Sequence, residues 1–388
     1  EAIVAELKEK LPPYMVPSVF RFESELPQLP SGKIDRRALL AGYEETAPRA
    51  ACVEPTNEVE RRLADIWREV IGSQAIGIGD DFFDVGGDSF KAIRIAAKYG
   101  APLEVTHLYD YPTIAALAEH LAGLDGDAQK TLTLIAGDPA QAEAMLLCIA
   151  NSGGGPVSFI EMGRAFSAAG APLAACAVNL PRNEVDDDAA MVAEVERLAA
   201  EVCDELGRMS SLPLMVFAQC NGSALALGVV REWKRRGADL RALCIGGALL
   251  RTEPTPKDVR SDEQIVAFLG SIGSTLPAEA DERAFFLHDF SYDCHMADSY
   301  YNHLVRERAA EAGERIGAPV FCLVGTEDPI VSGYAERYRD WGLLSDEVSL
   351  IEYPGIGHYL LRDCPAELAA SLADIWRRVG GKEARNGR

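Results

Sequence analysis

The sequence predicts a multidomain chain, in which a small α-helical bundle precedes a doubly wound, mostly parallel α/β sheet with a helical insertion. Three observations predict this fold class. Residues 52–124 contain three or four short helical segments that share an apolar face. From residue 130 onward, continuous apolar strands alternate with helices, which is typical of a parallel sheet covered on both faces. Residues 252–315 interrupt this alternation with charged, helical sequence and no clear strand.

Charge and composition exclude several classes of partner. The 388 residues are 48% hydrophobic and carry a formal net charge of −22, which argues against nucleic acid or an anionic membrane. No run of about 20 apolar residues is present, so we predict no membrane span. The first segment, EAIVAELKEK, has neither a methionine nor a signal-peptide pattern, which indicates a fragment of a longer polypeptide.

The nine cysteines form no C-x-x-C pair, so we predict no metal site. Their odd number, and the position of several of them in apolar runs such as MLLCIA and VFCLVG, indicate reduced core thiols in a cytoplasmic protein. An inert, buried thiol is therefore the default expectation for each cysteine.

The first 45 residues contain YMVPSVFRFESELPQLPSGKIDRRAL, where residues 19–22 alternate as a strand and a Pro- and Gly-containing loop exposes Lys33. This segment resembles the C-terminal end of the adenylation domains of nonribosomal peptide synthetases. In that family the lysine that matches Lys33 binds carboxylate and phosphate groups during aminoacyl-adenylate formation. The nucleotide-binding body of such a domain is absent, so we expect residues 1–45 to be an inactive remnant.

The helical bundle begins with PTNEVERRLADIWREVIG, which Thr56 or Asn57 can cap. A Gly-rich loop, IGIGDDFFDVGGDSFKAI, leads to a second helix near Ser89, and Pro112 and Thr113 start a last helix. The apolar face of the first helix consists of Val59, Leu63, Ile66, Trp67, Val70 and Ile71.

The run DVGGDSF is very similar to the signature of peptidyl carrier proteins, and the flanking FFD and LYDYPTI occur in the same order. The resemblance implies that a phosphopantetheinyl transferase attaches 4′-phosphopantetheine to Ser89. A serine at a helix N-terminus after two glycines has donor amides nearby for the incoming phosphate. The alternative is that Ser89 only caps the helix. The stretch between Ser89 and Leu108 is shorter than usual for the family.

Six segments after residue 130 are predicted to be parallel strands: MLLCIA (145–150), LAACAVN (173–179), LMVFA (214–218), LRALCIGG (240–247), APVFCLVG (318–325) and VSLIEYP (348–354). After the third strand, the sequence FAQCNGS has the small-x-Cys-x-Gly spacing of the strand-to-helix turn that presents the nucleophile in α/β-hydrolases. Ala218 and Gly222 are the small residues of this turn, and Cys220 stands where serine is usual. Ser223 is a rival nucleophile, but it falls on the helix.

A base and an acid follow in the order of an α/β-hydrolase triad. His358 lies in a loop after the last strand, and Asp328 directly follows a buried strand. His358 would take the proton of Cys220, while Asp328 would hold the imidazole tautomer. Glu327 competes with Asp328 for this role, although a solvated turn is its expected place. The other histidines are His107 and His120 in the bundle, and His288, His295 and His303 in the insertion.

The sequence also indicates an oxyanion hole. After MLLCIA, which we predict to be the first strand of its domain, comes the Gly-rich loop NSGGGPVSF. Backbone amides of Ser152 and Gly153, with that of Asn221, are placed to hold a tetrahedral oxyanion. A phosphate-binding loop is the competing interpretation, but no P-loop lysine or dinucleotide-binding acid follows.

As a whole, residues 130–388 resemble the type I thioesterases that release peptides from nonribosomal peptide synthetases. The resemblance implies a lid at about residues 252–315, a peptidyl thioester substrate delivered from Ser89, contact between the carrier and the thioesterase, and upstream synthetase domains as partners. In that family the aspartate often follows the preceding strand. Here that strand ends CIGGALL without a carboxylate, which favours Asp328.

Cysteine at the elbow bears on the product. Acyl transfer to sulfur keeps a thioester, so the acyl group stays activated for a difficult second step such as closure of a strained ring. Cysteine elbows in this family occur in thioesterases that close β-lactones or monobactam-type β-lactams, and the resemblance implies the latter. Hydrolytic and macrocyclising thioesterases share the same motifs. An engineered replacement of serine, or an inactive module that only docks the carrier, is also compatible with the sequence.

Overall fold

The computed structural model describes residues 26–28, 34–35, 53–100, 103, 105–122, 131–180, 187–255, 261–274, 276–277, 280–309 and 315–380. The chain divides into two compact units, Glu1–Gln129 and Lys130–Arg388. Most of the segment predicted to be an adenylation-domain remnant, including Lys33, lies outside the described residues. Within it, Gln28 and Ile34 form one antiparallel bridge.

The first unit is a small helical bundle. Its described helices are α1 (Glu58–Ile71), α2 (Ser89–Tyr99), α3 (Val105–Asp110) and α4 (Ile114–Ala122). Asn57 caps α1, because its side chain accepts a hydrogen bond from the amide of Glu60 at 2.8 Å. The helices enclose one core that includes Leu63, Trp67 and Val70 of the predicted apolar face, while Val59, Ile66 and Ile71 of that face are partly buried against it.

In the described residues of the second unit, seven strands form one sheet: β1 (Leu132–Ala136), β2 (Ala144–Ile149), β3 (Leu173–Val178), β4 (Leu214–Gln219), β5 (Leu240–Gly246), β6 (Val320–Gly325) and β7 (Val348–Tyr353). The strand order is β1-β3-β2-β4-β5-β6-β7. Only β1 is antiparallel to its neighbour, so the predicted doubly wound, mostly parallel sheet is confirmed. The expectation that MLLCIA is the first strand is wrong, because β1 precedes it as an edge strand.

The described helices of this unit are α5 (Ile160–Ala169), α6 (Asp188–Met209), α7 (Gly222–Arg235), α8 (Asp262–Ser271), α9 (Ala280–Ala309), α10 (Tyr334–Arg337), α11 (Leu360–Asp363) and α12 (Pro365–Val379). Short 3₁₀ helices occupy Pro156–Phe159, Pro329–Val331 and Tyr338–Leu343. Successive strand residues point to opposite faces of the sheet. Leu147 and Val216 accordingly pack with α6, α7 and α9, and Leu146 and Met215 pack with α5 and α12.

The insertion between β5 and β6 has two parts that pack differently. Tyr292, Met296 and Tyr300 of α9 belong to the main core beside α6 and α7. By contrast, α8 and the beginning of α9 form a separate small cluster, to which Leu269 and Phe290 contribute. The second half of α9 is therefore an integral layer of the fold.

No helix of the described part of the chain is long and apolar enough to cross a membrane.

Candidate active site

Cys220 lies in a strained turn between β4 and α7. Its φ is 52°, and it is the one non-glycine residue with positive φ among the described residues. Its amide donates to the carbonyl oxygen of Gly246 at 2.7 Å. A Cβ on Gly222 would lie 2.3 Å from the carbonyl oxygen of Ala150, so a larger residue there would collide with the backbone that follows β2. A left-handed residue between a strand and a helix is the geometry of a nucleophile elbow.

Ser223, the rival nucleophile, is only 1% exposed. Its hydroxyl donates to the carbonyl oxygen of Cys220 at 2.5 Å and lies 2.7 Å from the hydroxyl of Tyr301. Ser223 is therefore a buried residue that stabilises the turn through its hydrogen bond to Cys220. Cys220 is partly exposed, as is Cys294, whereas the other described cysteines are buried. Burial raises the pKa of such thiols, for example that of Cys322 to about 12, which keeps them protonated.

His358 and Asp328 form a buried pair. Nδ1 of His358 lies 2.8 Å from Oδ2 of Asp328, and Oδ1 of Asp328 accepts a hydrogen bond from the amide of Ile330 at 2.9 Å. Gln219 donates from Nε2 to the carbonyl oxygen of His358 at 2.8 Å, which ties the histidine loop to β4. A Cβ on Gly247 would lie 3.3 Å from both Asp328 Oδ2 and His358 Cε1. Gly247, directly after β5, therefore leaves room for an acid that follows β6.

The imidazole of His358 also interacts with Cys220. Burial lowers the pKa of His358, but side-chain hydrogen bonds to Asp328 and Cys220 and the charges of both outweigh burial and raise it to about 10. Because Nδ1 faces Asp328, Nε2 is the nitrogen that serves Cys220. The structure thus brings together the three residues predicted for the triad, in an arrangement that stabilises the imidazolium formed when His358 takes the proton of Cys220.

The Gly-rich loop after β2 lies beside the elbow. Asn221 donates from Nδ2 to Oγ of Ser152 at 3.0 Å, and Ser152 is 4% exposed. The amide of Gly153 donates to Oδ2 of Asp293 at 2.8 Å, so an oxyanion at Gly153 would have to displace that carboxylate. No described residue accepts a hydrogen bond from the amides of Asn221 or Ser152. Two of the three predicted donors are therefore open.

The prediction from sequence missed the contribution of α9 and of the segment after β5. Sγ of Cys294 lies 3.3 Å from Asn221 Nδ2, and a guanidinium nitrogen of Arg251 lies 3.3 Å from Asn221 Oδ1. Arg251 is in turn paired with Asp298. The spacing of the α9 residues that reach these loops (Cys294, Asp298 and Tyr301, one helical face) is the signal that could have found them.

The remaining candidates lie elsewhere. Glu327 is exposed, as predicted for a turn residue. The side chain of His288 is 56% exposed. His295 lies 2.9 Å from an Asp188 oxygen, and Nε2 of His303 lies 3.2 Å from a carboxylate oxygen of Glu307. In the bundle the rings of His107 and His120 contact each other. The described part of the chain contains no cluster of His, Cys, Asp or Glu side chains that could hold a metal ion.

In the helical unit, α2 begins at Ser89, shortly after two glycines. A Cβ on Gly87 would lie 2.4 Å from the carbonyl oxygen of Phe82, so this turn requires glycine. The carboxylate of Asp88 accepts a hydrogen bond from the amide of Lys91 at 2.9 Å and thereby caps α2. The cap thus comes from Asp88. The N-terminus of a helix, here directly after a glycine turn, is a favourable place for the negative charge of a phosphate attached to Ser89.

The two units of the chain are similar to different known proteins. Residues 61–121 match the family described as the phosphopantetheine attachment site. Tyrocidine synthase 3 of Brevibacillus parabrevis is 42% identical over 122 residues, which are 30% of this chain and 2% of that protein. Surfactin synthase subunit 3 of Bacillus subtilis (strain 168) is 39% identical over 145 residues, which are 36% of this chain and 11% of that protein. The chain spans only a small part of these relatives.

Among solved structures, RedJ, a thioesterase of the prodiginine pathway of Streptomyces coelicolor, is 22% identical with a TM-score of 0.51 and covers 65% of this chain and 96% of its own. YbtT, a type II thioesterase of the yersiniabactin pathway, is 20% identical with a TM-score of 0.50 and covers 64% and 98%. At these identities the likeness concerns the fold.

Residues 61–121 are thus similar to the carrier domains of nonribosomal peptide synthetases, and the second unit has an α/β-hydrolase fold like that of thioesterases. The cofactor of the carrier domain is covalently attached 4′-phosphopantetheine.

Proposed function

We propose that this chain is the carrier and thioesterase end of a nonribosomal peptide synthetase, and that Cys220 accepts a peptidyl group and releases it by ring closure. One observation carries the proposal: Cys220 occupies a left-handed elbow position and interacts with the buried His358–Asp328 pair, in a chain that also holds a carrier domain. We also propose a cytoplasmic location, because most of the described cysteines are buried in apolar surroundings without a disulfide partner.

In the acylation step, Nε2 of His358 takes the thiol proton of Cys220, and the sulfur attacks the carbonyl carbon of the thioester. The amides of Asn221 and Ser152 donate to the oxyanion that forms. When the bond from this carbon to the leaving sulfur breaks, His358 returns the proton to the leaving thiol. Asp328 holds the imidazole tautomer and stabilises its positive charge.

In the release step, a nucleophile within the peptidyl chain gives its proton to His358 and attacks the thioester carbon, and Cys220 leaves with the proton. Transfer between two sulfurs is nearly isoenergetic, so the acyl group arrives at this step still activated. A strained ring needs that activation, whereas water attacks an ordinary ester well under general-base catalysis. We therefore propose a four-membered, monobactam-type β-lactam as product, as formed by the thioesterase of sulfazecin synthetase.

The helical unit supplies the substrate in this proposal. Ser89 is the site to which a phosphopantetheinyl transferase attaches the arm, and upstream synthetase domains load it with the peptide. The N-terminus of α2, which Asp88 caps and which follows the glycine turn, supports this role. When bound, phosphopantetheine supplies the thiol that carries the peptide as a thioester.

The test is to load the chain at Ser89 with a peptidyl-phosphopantetheine and to follow intact mass and released products. The parent chain is compared with Cys220→Ala, Cys220→Ser and Ser89→Ala. We expect a peptidyl adduct on Cys220 in the parent, none in the alanine variant, and a released product that weighs one water less than the free acid. Ser89→Ala should fail to gain the phosphopantetheine mass.

Two outcomes contradict separate parts of the proposal. Release at the parental rate from Cys220→Ala would refute acyl transfer to this thiol. A product with the mass of the free acid would refute ring closure and leave a hydrolytic thioesterase. A ring of the right mass that contains the oxygen of a hydroxyl side chain would point to a β-lactone or macrolactone instead of a lactam.

A further inference from the structure

The Gly-rich loop is bound to α9 through the backbone amide of Gly153, a group that the proposed acylation step does not use. The amide of Gly153 donates to Oδ2 of Asp293 at 2.8 Å, and Asp293 is 3% exposed. Gly153 has φ +73°, and a Cβ there would lie 2.8 Å from the ring of Phe286, so this residue sits tightly against α9. A buried carboxylate thus fixes a backbone conformation that few residues adopt.

Two other polar groups of the neighbouring residue Ser152, its hydroxyl and its carbonyl oxygen, also form hydrogen bonds. Asn221 donates to its hydroxyl at 3.0 Å, and the side-chain amide of Asn151 donates to its carbonyl oxygen at 3.2 Å. With the Gly153 amide bound to Asp293, the plane of the peptide that joins Ser152 to Gly153 is constrained at both its oxygen and its nitrogen. The amide of Ser152 is the polar group of this residue that stays available to an oxyanion.

The residues beside Asp293 on α9 are buried. Tyr292 and Met296 lie near it on the same helix, are 7% and 2% exposed, and belong to the main core. Cys294, the next residue, contacts the side chain of Asn221. Asp293 therefore lies where α9 contacts both clusters, since Tyr292 and Met296 pack with the main core while Phe290 belongs to the small cluster around α8.

We propose that Asp293 is a positioning residue that holds the Gly-rich loop, through the amide of Gly153, so that the amide of Ser152 faces the oxyanion. This inference rests on the proposed function, because it assumes that Cys220 is acylated. Oxyanion donors act only when they are fixed in advance, and a displacement of about 1 Å can cost on the order of 100-fold in rate.

The experiment measures kcat and KM for an acyl-N-acetylcysteamine thioester, and separately the rate at which iodoacetamide alkylates Cys220. Alkylation forms no oxyanion and so reports on the thiol alone. For Asp293→Ala we expect kcat to fall by about 100-fold, KM to change little, and alkylation to stay within about twofold of the parent. Asp293→Asn, whose amide oxygen still accepts the Gly153 hydrogen bond, should keep kcat close to the parental value. Asp289→Asn, one turn earlier on α9, is the matched control.

Three results would overturn the inference: parental kcat in Asp293→Ala, an equal loss in Asp293→Asn, or a parallel fall of alkylation and kcat. If Asp293→Ala does not fold, Asp293→Leu replaces it, since leucine has similar size and accepts no hydrogen bond. The proposed function is checked in the same assay with Cys220→Ala. Equal turnover by the parent and Cys220→Ala would refute the proposed function, whereas parental turnover by the Asp293 variants alone would refute only this inference.

Discussion

Nδ1 of His358 lies 2.8 Å from Oδ2 of Asp328, and the two side chains are 2% and 0% exposed. In such a buried pair the carboxylate determines which nitrogen of the imidazole carries the proton, and the other nitrogen is left for Cys220. The contact connects the loop after β7, which holds His358, with the turn after β6, which holds Asp328.

Replacing Asp328 by asparagine should lower the rate of acyl transfer by about 10³-fold or more, because an amide donates to Nδ1 and so favours the wrong tautomer. The rate is measured with a soluble acyl thioester. Glu327→Gln is the matched control, since Glu327 is exposed and should be replaceable without loss. An Asp328→Asn variant within about threefold of the parent would show that this pair does not drive the reaction.

The pKa of His358 predicts how stability depends on pH. It is raised from 6.5 to about 10 in the folded chain. Protonated His358 therefore contributes stability that is fully present below pH 6.5 and is lost as the pH rises through about 10. We expect the Tm difference between the parent and Asp328→Asn to shrink over this interval in thermal melts. A difference that stays constant from pH 6 to pH 10 would contradict the assigned direction.

The left-handed conformation of Cys220, with φ 52°, predicts an unusual order of stability. Both Cys220→Ala and Cys220→Gly remove the thiol, but a Cβ in this conformation costs about 1 kcal/mol that glycine avoids. Cys220→Gly should therefore unfold at higher denaturant than Cys220→Ala, the reverse of the order in ordinary helices. Urea unfolding of the two variants measures this difference, and alanine being the more stable would argue against an elbow.

Close packing at the elbow predicts opposite effects for two Gly→Ala changes. In Gly222→Ala the new methyl would lie 2.3 Å from the carbonyl oxygen of Ala150, so we expect a loss of about 1–3 kcal/mol. Gly207 lies in α6 with no atom near its Cβ position, so Gly207→Ala should stabilise by about 0.5–1 kcal/mol. Denaturant unfolding compares them, and a neutral Gly222→Ala would mean that the backbone after β2 can yield.

Much of the site could be predicted from sequence because its signals are local. The elbow needs small residues around Cys220 within one turn, and each triad residue closely follows an apolar strand. The antiparallel strand β1 was missed, because one short edge strand with a mixed burial pattern has a weak period next to a domain boundary. The role of α9 was also missed, since a helical insertion with charged residues resembles a detachable lid.

The sequence by itself determined that a helical bundle precedes a mostly parallel sheet, and it determined the order of Cys220, Asp328 and His358, because periodicity and turn chemistry depend on neighbouring residues. Only the tertiary structure decided that Asp293 binds the amide of Gly153, two residues that are 140 positions apart. It also decided that the second half of α9 belongs to the main core. A contact across such a separation depends on how helices settle on the sheet, and no local pattern encodes the partner.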